Sequence, residues 1–217
     1  MSETSDTIDA PQTLYAPAQQ RRGIRTERKL LEAAKVLFGE RGYAQTRVSD
    51  IIERSGVSNG SFYHRFSDKA AVFCAIHQQY VQETTARIDR LDMSRQTNGD
   101  LPGLLRQIAE QTYDVVQKNL GFYRAAQELE TELPEIRRAL SGLTLRICDR
   151  LAVHYSEYST QITAPDPVGA LRAAAQVAVM IMVQVRLGTG PAFPRERAPL
   201  LDIATRAACG VACYRPD

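Results

Sequence analysis

Apolar residues in this 217-residue chain recur at spacings of three and four, and nowhere do they alternate with period two for long enough to build a sheet. That pattern points to an all-α fold. Leu30, Leu31, Ala34, Leu37 and Phe38 form the buried stripe of a first helix over roughly 23–41, which stops at Gly42. Thr46 stands as N-cap of a short second helix buried on Val48, Ile51, Ile52 and Ser55, and Gly56 ends it where a left-handed residue is cheap. Ser58 caps a third helix. Val57 before that cap can meet Phe62 as a hydrophobic staple, and Phe62 shares the inward face with Phe66. Two short helices joined by a glycine-containing turn and packed on a longer one make a three-helix helix-turn-helix unit.

Ser67 opens a long amphipathic helix to about Leu91, and further helices are expected near 101–119, 121–131, 134–158, 166–187 and 196–214, about nine in total. Pro134, Pro167 and Pro199 fall at or near helix starts, where a missing amide donor matters least. Residues 1–20, rich in Ser, Thr, Asp, Pro and Gln and without periodicity, are expected to be a disordered tail. Residues 21–67 then form the helix-turn-helix domain and 68–217 a second helical domain. A composition 44% hydrophobic and 24% charged belongs to a folded globular chain. The longest membrane-like run, Ala173 to Val185, is interrupted by Gln176 and Gln184 and falls short of the roughly 20 residues a span needs. The N-terminus lacks the basic and apolar regions of a secretory signal. The expectation is a cytoplasmic protein with no membrane partner.

The net charge of +2 is unevenly divided: residues 21–70 hold eleven Lys and Arg against six Asp and Glu, while residues 71–217 are balanced. A local basic excess is the footprint of polyanion binding. Turning 100° per residue from Phe62 and Phe66 puts Gly60, Ser61, Tyr63 and His64 on the exposed side of the third helix, with Asn59 at its N-terminal end. Asn reads adenine bidentately, a Ser hydroxyl donates or accepts, and Gly lets a backbone approach a base edge. Thr46, Ser58, Tyr63 and Lys69 can donate to phosphates, and Arg47 in the first turn of the second helix joins a favourable helix dipole.

The stretch over residues 22–76, with VLFGERGYAQT, the core DIIERSGVSNGSFYHRF and the following SDKAAVF, resembles the DNA-binding domain of the TetR family of bacterial transcriptional regulators. The resemblance implies a homodimer whose recognition helices enter successive major grooves of a pseudo-palindromic double-stranded operator. It implies that Thr46, Arg47, Ser58, Tyr63, His64 and Lys69 contact mainly phosphates, and that Asn59, Gly60, Ser61 and Tyr63 face bases. Asn59 stands where many relatives carry Lys, so phosphate attraction is weaker there.

The resemblance also places a four-helix dimer interface on the helices near 166–187 and 196–214. These are unusually apolar, with Val168, Leu171, Ala175, Ala178, Ile181, Met182 and Val185 in one and Leu200, Leu201, Ile203, Ala204, Ala207, Ala208 and Val211 in the other. Tyr113, Phe122, Tyr123, Gln127, Arg146, His154 and Tyr155 set polar and aromatic groups on otherwise apolar faces, a mixture suited to a cavity for an unknown small-molecule effector between the bridge helix and the helices over 101–158. An effector that fits only one spacing of the recognition helices weakens DNA binding, giving a repressor released by its ligand.

An enzyme is not expected. The three histidines are dispersed, and there is no Gly-rich phosphate loop, His-Glu-x-x-His motif or nucleophile elbow. No cofactor or metal is expected either. Cys209 and Cys213, four apart on one helix face, are read as packing residues rather than ligands. The alternative is a helical ligand-binding or adaptor protein without specific DNA binding, which an acid among residues 59–64 or the loss of Lys69 would have favoured.

Overall fold

The computed structural model describes residues 21–190 and 192–217; the tail expected over 1–20 lies outside them. The described chain is helical throughout, in the order α1 (Arg21–Arg41), α2 (Val48–Ser55), α3 (Asn59–Tyr63), α4 (Lys69–Arg90), α5 (Arg95–Asn98), α6 (Leu101–Lys118), α7 (Leu120–Leu129), α8 (Pro134–Val153), α9 (Tyr155–Tyr158), a 3-10 turn (Ser159–Gln161), α10 (Pro167–Leu187) and α11 (Arg197–Val211). The all-α class therefore holds. The expected count of about nine rises because α5 and α9 are single turns of four residues. Ser94 caps α5 by accepting the Thr97 amide, and α9 is set off from α8 where the backbone bends at His154.

Two helix starts differ from expectation. α2 is entered at Arg47, whose amide donates to the Asp50 carboxylate at 2.8 Å, and the expected cap Thr46 is instead buried. α4 begins after Asp68, not Ser67, because the Asp68 carboxylate accepts the Ala71 amide at 2.8 Å. Ser58 does cap α3, accepting the Ser61 amide. At the end of α2, Gly56 takes the left-handed conformation at φ 64°, as a tight turn into α3 requires.

Two apolar clusters organise the molecule. The first joins Leu30, Leu31, Phe38, Ile51, Phe62 and Phe66 of the helix-turn-helix to Phe73 and Tyr80 of α4 and Phe122 of α7. The division near residue 67 thus separates stretches of chain that share one core. The second cluster packs α6, α8, α10 and α11 on one another. By length and composition α10 is apolar enough to cross a bilayer, but Leu171, Ala174, Ala175, Ala178 and Met182 are buried against neighbouring helices, as the central helix of a core requires.

That packing narrows the expected dimer surface. Leu171, Ala175, Ala178, Met182 and Val185 of α10, with Leu200, Leu201, Ala204 and Ala208 of α11, are already covered within the subunit. Ala173 and Met180 on α10 and Gly210 and Val211 on α11 are exposed, and Val177, Ile203 and Ala207 are half-buried; Met180 also lines the space between α8 and α10.

Candidate nucleic-acid interface and small-molecule cavity

Ser58, Asn59, Gly60, Ser61, Tyr63 and His64 form one exposed strip around α3, with Tyr63 61% exposed, while Phe62 between them is fully buried. The strip is held from beneath. Phe62 and Phe66 pack at 6.0 Å between ring centroids, and Arg65, just past α3, donates through Nε to Glu27 of α1 at 2.7 Å. Ser58 Oγ also donates to Ser61 Oγ at 2.9 Å, so these hydroxyls present a preset orientation. A side chain at Gly60 would meet nothing within 4 Å; the space above it is open to an approaching surface. Arg47 is exposed at the start of α2.

Two expected phosphate contacts are otherwise engaged. Thr46 is 1% exposed and its hydroxyl donates to the Gly42 carbonyl at 2.7 Å, which ties the α1–α2 turn rather than facing outward. Lys69 directs Nζ to the Tyr43 carbonyl at 2.7 Å and lies 4.1 Å above the Tyr43 ring, leaving two of its three donors. Burial lowers its pKa and the nearby Glu128 carboxylate pulls it back up. Tyr43 is itself pushed up to about 12, mainly by burial and by Asp68.

Glu128 of α7 completes this clamp, accepting the Tyr43 amide at 3.0 Å and the Ala44 amide at 2.7 Å. α7 also crosses α1 at a close backbone approach: a Cβ on Gly121 would stand 2.6 Å from the Gly39 Cα. The same helix borders a cavity of about 510 Å³ through Tyr123, Ala126, Gln127 and Glu130. One element therefore touches both the cavity and the turn that leads into α2.

The cavity lies among α4, α6, α7, α8 and α10, with α10 closing a side that the sequence reading left out. Of the expected ligand residues, Tyr123 and Gln127 line it and the others are placed elsewhere. Phe122 is core, stacked on Tyr80 at 4.3 Å and on Phe73 at 5.6 Å. Tyr113 lies under the guanidinium of Arg186 at 5.1 Å. Arg146 forms a two-pronged pair with Asp89 at 2.7 and 2.8 Å, and His154 bonds Glu157 at 2.7 Å where α8 ends. Tyr80, Thr84, Arg87 and Gln111 were missed. The signal for the first three was their recurrence at 80, 84 and 87, one face of α4.

Cys213 lies beyond α11 at φ 50°, exposed, while Cys209 is half-buried, so the two do not share the helix face expected of them. Among the described residues no cluster of three or more His, Cys, Asp or Glu is positioned to hold a metal.

A buried aromatic pair beneath an exposed polar helix, a glycine turn and a buttressing long helix define a helix-turn-helix protein. Residues 30–76 match the model of bacterial regulatory proteins of the tetR family, so this segment is a DNA-binding domain of the TetR type. It is 28% identical over 129 residues to the HTH-type transcriptional activator FasR of Mycolicibacterium smegmatis, covering 57% of this chain and 58% of that protein. It is 31% identical over 119 residues to the HTH-type transcriptional repressor KstR2 of the same organism, covering 55% and 47%. The matches thus span about half the length of these relatives. Among solved structures, Salmonella enterica GusR superposes with a TM-score of 0.62 at 18% identity, over 90% of this chain and all of that one. A TetR-family regulator from Mesorhizobium loti superposes at 0.63 and 20%, over 91% of this chain and all of that one. At these identities the superpositions establish the fold.

Proposed function

We propose that the protein is a transcriptional regulator that binds a pseudo-palindromic DNA operator as a homodimer and is released by a small molecule held in the cavity between α4, α6, α7, α8 and α10. The observation that carries this reading is the exposed strip over residues 58–64, polar at every position except Gly60 and the buried Phe62 and set within the basic N-terminal segment. Asn59 and Ser61 are the base-reading groups and Arg47, Tyr63 and His64 the phosphate contacts. Ser58 supports Ser61, and Lys69 adds the donors not used by Tyr43.

Two copies are needed because a helix of five residues reads only a few base pairs. A two-fold dimer sets two such helices about 34–36 Å apart, one turn of B-DNA. Ala173 on α10 with Ala207 and Gly210 on α11 permit a close backbone approach in such a pairing. α7 supplies the link between the sites. A ligand that displaces Tyr123 or Gln127 moves the helix on which Glu128 holds the Tyr43–Ala44 turn, and that turn sets the position of α2 and α3. Repression is the simpler mode, since occupancy of an operator by a dimer excludes other proteins from it.

Fluorescence-anisotropy titration against DNA from upstream of its own coding sequence, at two salt concentrations with nonspecific competitor, tests this directly. The expected result is tight, competitor-resistant binding of a dimer with a steep salt slope. Weak binding erased by salt, both here and with DNA selected from random sequence, would point to a helical ligand-binding or adaptor protein instead.

A further inference from the structure

The cavity wall is electrically unbalanced. Of its three ionised side chains, Glu130 and Arg137 pair with each other at 3.4 Å. Arg87 is exposed at the rim, and no ion pair engages it among the described residues. Its guanidinium follows Thr84 and Tyr80 along one face of α4, and a helical side chain leans toward the N-terminus, in this case toward those two hydroxyls. Deeper in, the Tyr80 and Tyr123 hydroxyls stand 2.6 Å apart. The Thr84 hydroxyl also bonds Tyr80, and because two hydrogen bonds join these three hydroxyls, one of their three protons remains available to a further acceptor. Burial raises both phenol pKa values, which keeps both groups protonated as donors near neutrality. The cavity therefore offers several donors and one uncompensated positive charge on walls that are otherwise largely apolar.

We propose that the cavity takes a hydrophobic monoanion, a carboxylic acid whose apolar body lies along the cavity walls while Arg87 holds the carboxylate and the linked hydroxyls of Thr84, Tyr80 and Tyr123 supply a second donor. This rests on the reading of the cavity as the effector site and names the ligand class for it. Charge decides the class. A hydrophobic cation meets a wall of net charge +1, and a neutral ligand that covers the rim strips water from Arg87 without replacing it. A phosphate monoester near −2 brings surplus charge into an apolar space. A carboxylate matches the single free guanidinium in charge and in its two-pronged geometry. The volume of about 510 Å³ accommodates a body of small-molecule size.

The test is calorimetric titration of the full-length protein with decanoate, decan-1-ol and decylamine below their micelle concentrations, followed by operator anisotropy at saturating decanoate. The expected result is one decanoate per subunit, bound at least tenfold more tightly than the alcohol and the amine, with Arg87→Gln reducing decanoate to the affinity of the alcohol. Because Arg87 is exposed, that variant should keep the wild-type melting temperature, and this is measured alongside. Equal affinity for acid and alcohol, no binding of decanoate, or decanoate binding indifferent to Arg87→Gln would overturn the assignment. Decanoate binding that depends on Arg87 but leaves operator affinity unchanged would uphold the ligand class and overturn the effector reading instead.

Discussion

Asn59 and Arg47 stand at the two ends of what one residue can do on a DNA surface. Both are exposed, and neither has its side chain drawn into the core. A bidentate amide reads one base and contributes about 1–3 kcal/mol of discrimination, whereas a guanidinium on a phosphate contributes equally on any sequence. Asn59→Ala is therefore expected to weaken operator binding by about tenfold or more while leaving binding to scrambled DNA unchanged. Arg47→Ala is expected to weaken both alike and to reduce the logarithmic salt slope by about one. Paired anisotropy titrations on operator and scrambled duplexes distinguish the two, and a uniform loss in Asn59→Ala would remove it from the base-reading set. His77 presents a different single-residue question. Its ring stacks on Phe122 at 6.1 Å and its Nε2 is buried without a partner. Burial lowers its pKa below 6.5, against the weaker pulls of Glu135 and of a hydrogen bond to the Ile136 backbone. The unfolded chain, with His77 at its ordinary value, then binds more protons than the folded one between that value and the lowered one. Stability accordingly falls as pH drops through about 6.5 and levels off below the folded pKa. The melting temperature should decline from pH 7.5 to 5.5 in the wild type, and less steeply in His77→Gln.

At the scale of elements, the local signals were the legible ones. The Gly56 turn, the Ser58 cap and the Phe62–Phe66 face all depend on neighbours within a few residues, and each is where the pattern puts it. Thr46 misled because it has the chemistry of a cap, and only the fold of the α1–α2 turn decides that its hydroxyl serves Gly42. α5 and α9 are too short for any periodicity, and the break at His154 carries no Gly or Pro. The cavity was legible only in part, because apolar periodicity marks a face as buried without saying whether it meets another helix or a void. Phe122 and Tyr123 are adjacent aromatics about 100° apart on α7; one is core and the other cavity wall. The proposed role of α7 as a link rests on such tertiary contacts as well, and it leads to a prediction. Glu128→Gln keeps the size of the side chain but presents one acceptor oxygen where two amides are held. The variant is expected to remain folded and to bind ligand as before, with a reduced effect of ligand on operator affinity. Gly121→Ala is expected to be harsher, since its Cβ would stand 2.6 Å from the Gly39 Cα and force α1 and α7 apart, destabilising the protein by about 1–3 kcal/mol in urea titration. An unchanged ligand effect in Glu128→Gln would mean that the signal travels by another element.

For the molecule as a whole, the proposed dimer gives the apolarity of α10 and α11 a second purpose beside core packing, which sequence composition cannot separate from the first. One face of each helix is spent on the subunit's own core, and a narrower apolar face, with Ala173, Ala207 and Gly210 among larger residues, remains at least partly outward. Gly210 is a clean probe of that outward face. A side chain placed there meets nothing within 4 Å of its own subunit, so Gly210→Arg should fold, with any gain or loss of stability limited to the helix propensity of the last turn of α11. In a two-fold dimer paired through this face, the same substitution brings two arginines together at a close helix contact. Light scattering should then report a particle near the 24.1 kDa of one chain, and twice that mass for the wild type. Gly142 on α8 is the matched control, also open to solvent, and Gly142→Arg should leave the dimer intact. Operator affinity provides the second readout, because a single recognition helix retains only one half-site. The loss on monomerisation should therefore exceed that of any single contact substitution and should be recovered in part at high protein concentration. A Gly210→Arg protein that stays dimeric and binds operator normally would place the partner copy on some other face and leave the small residues of α10 and α11 without that role.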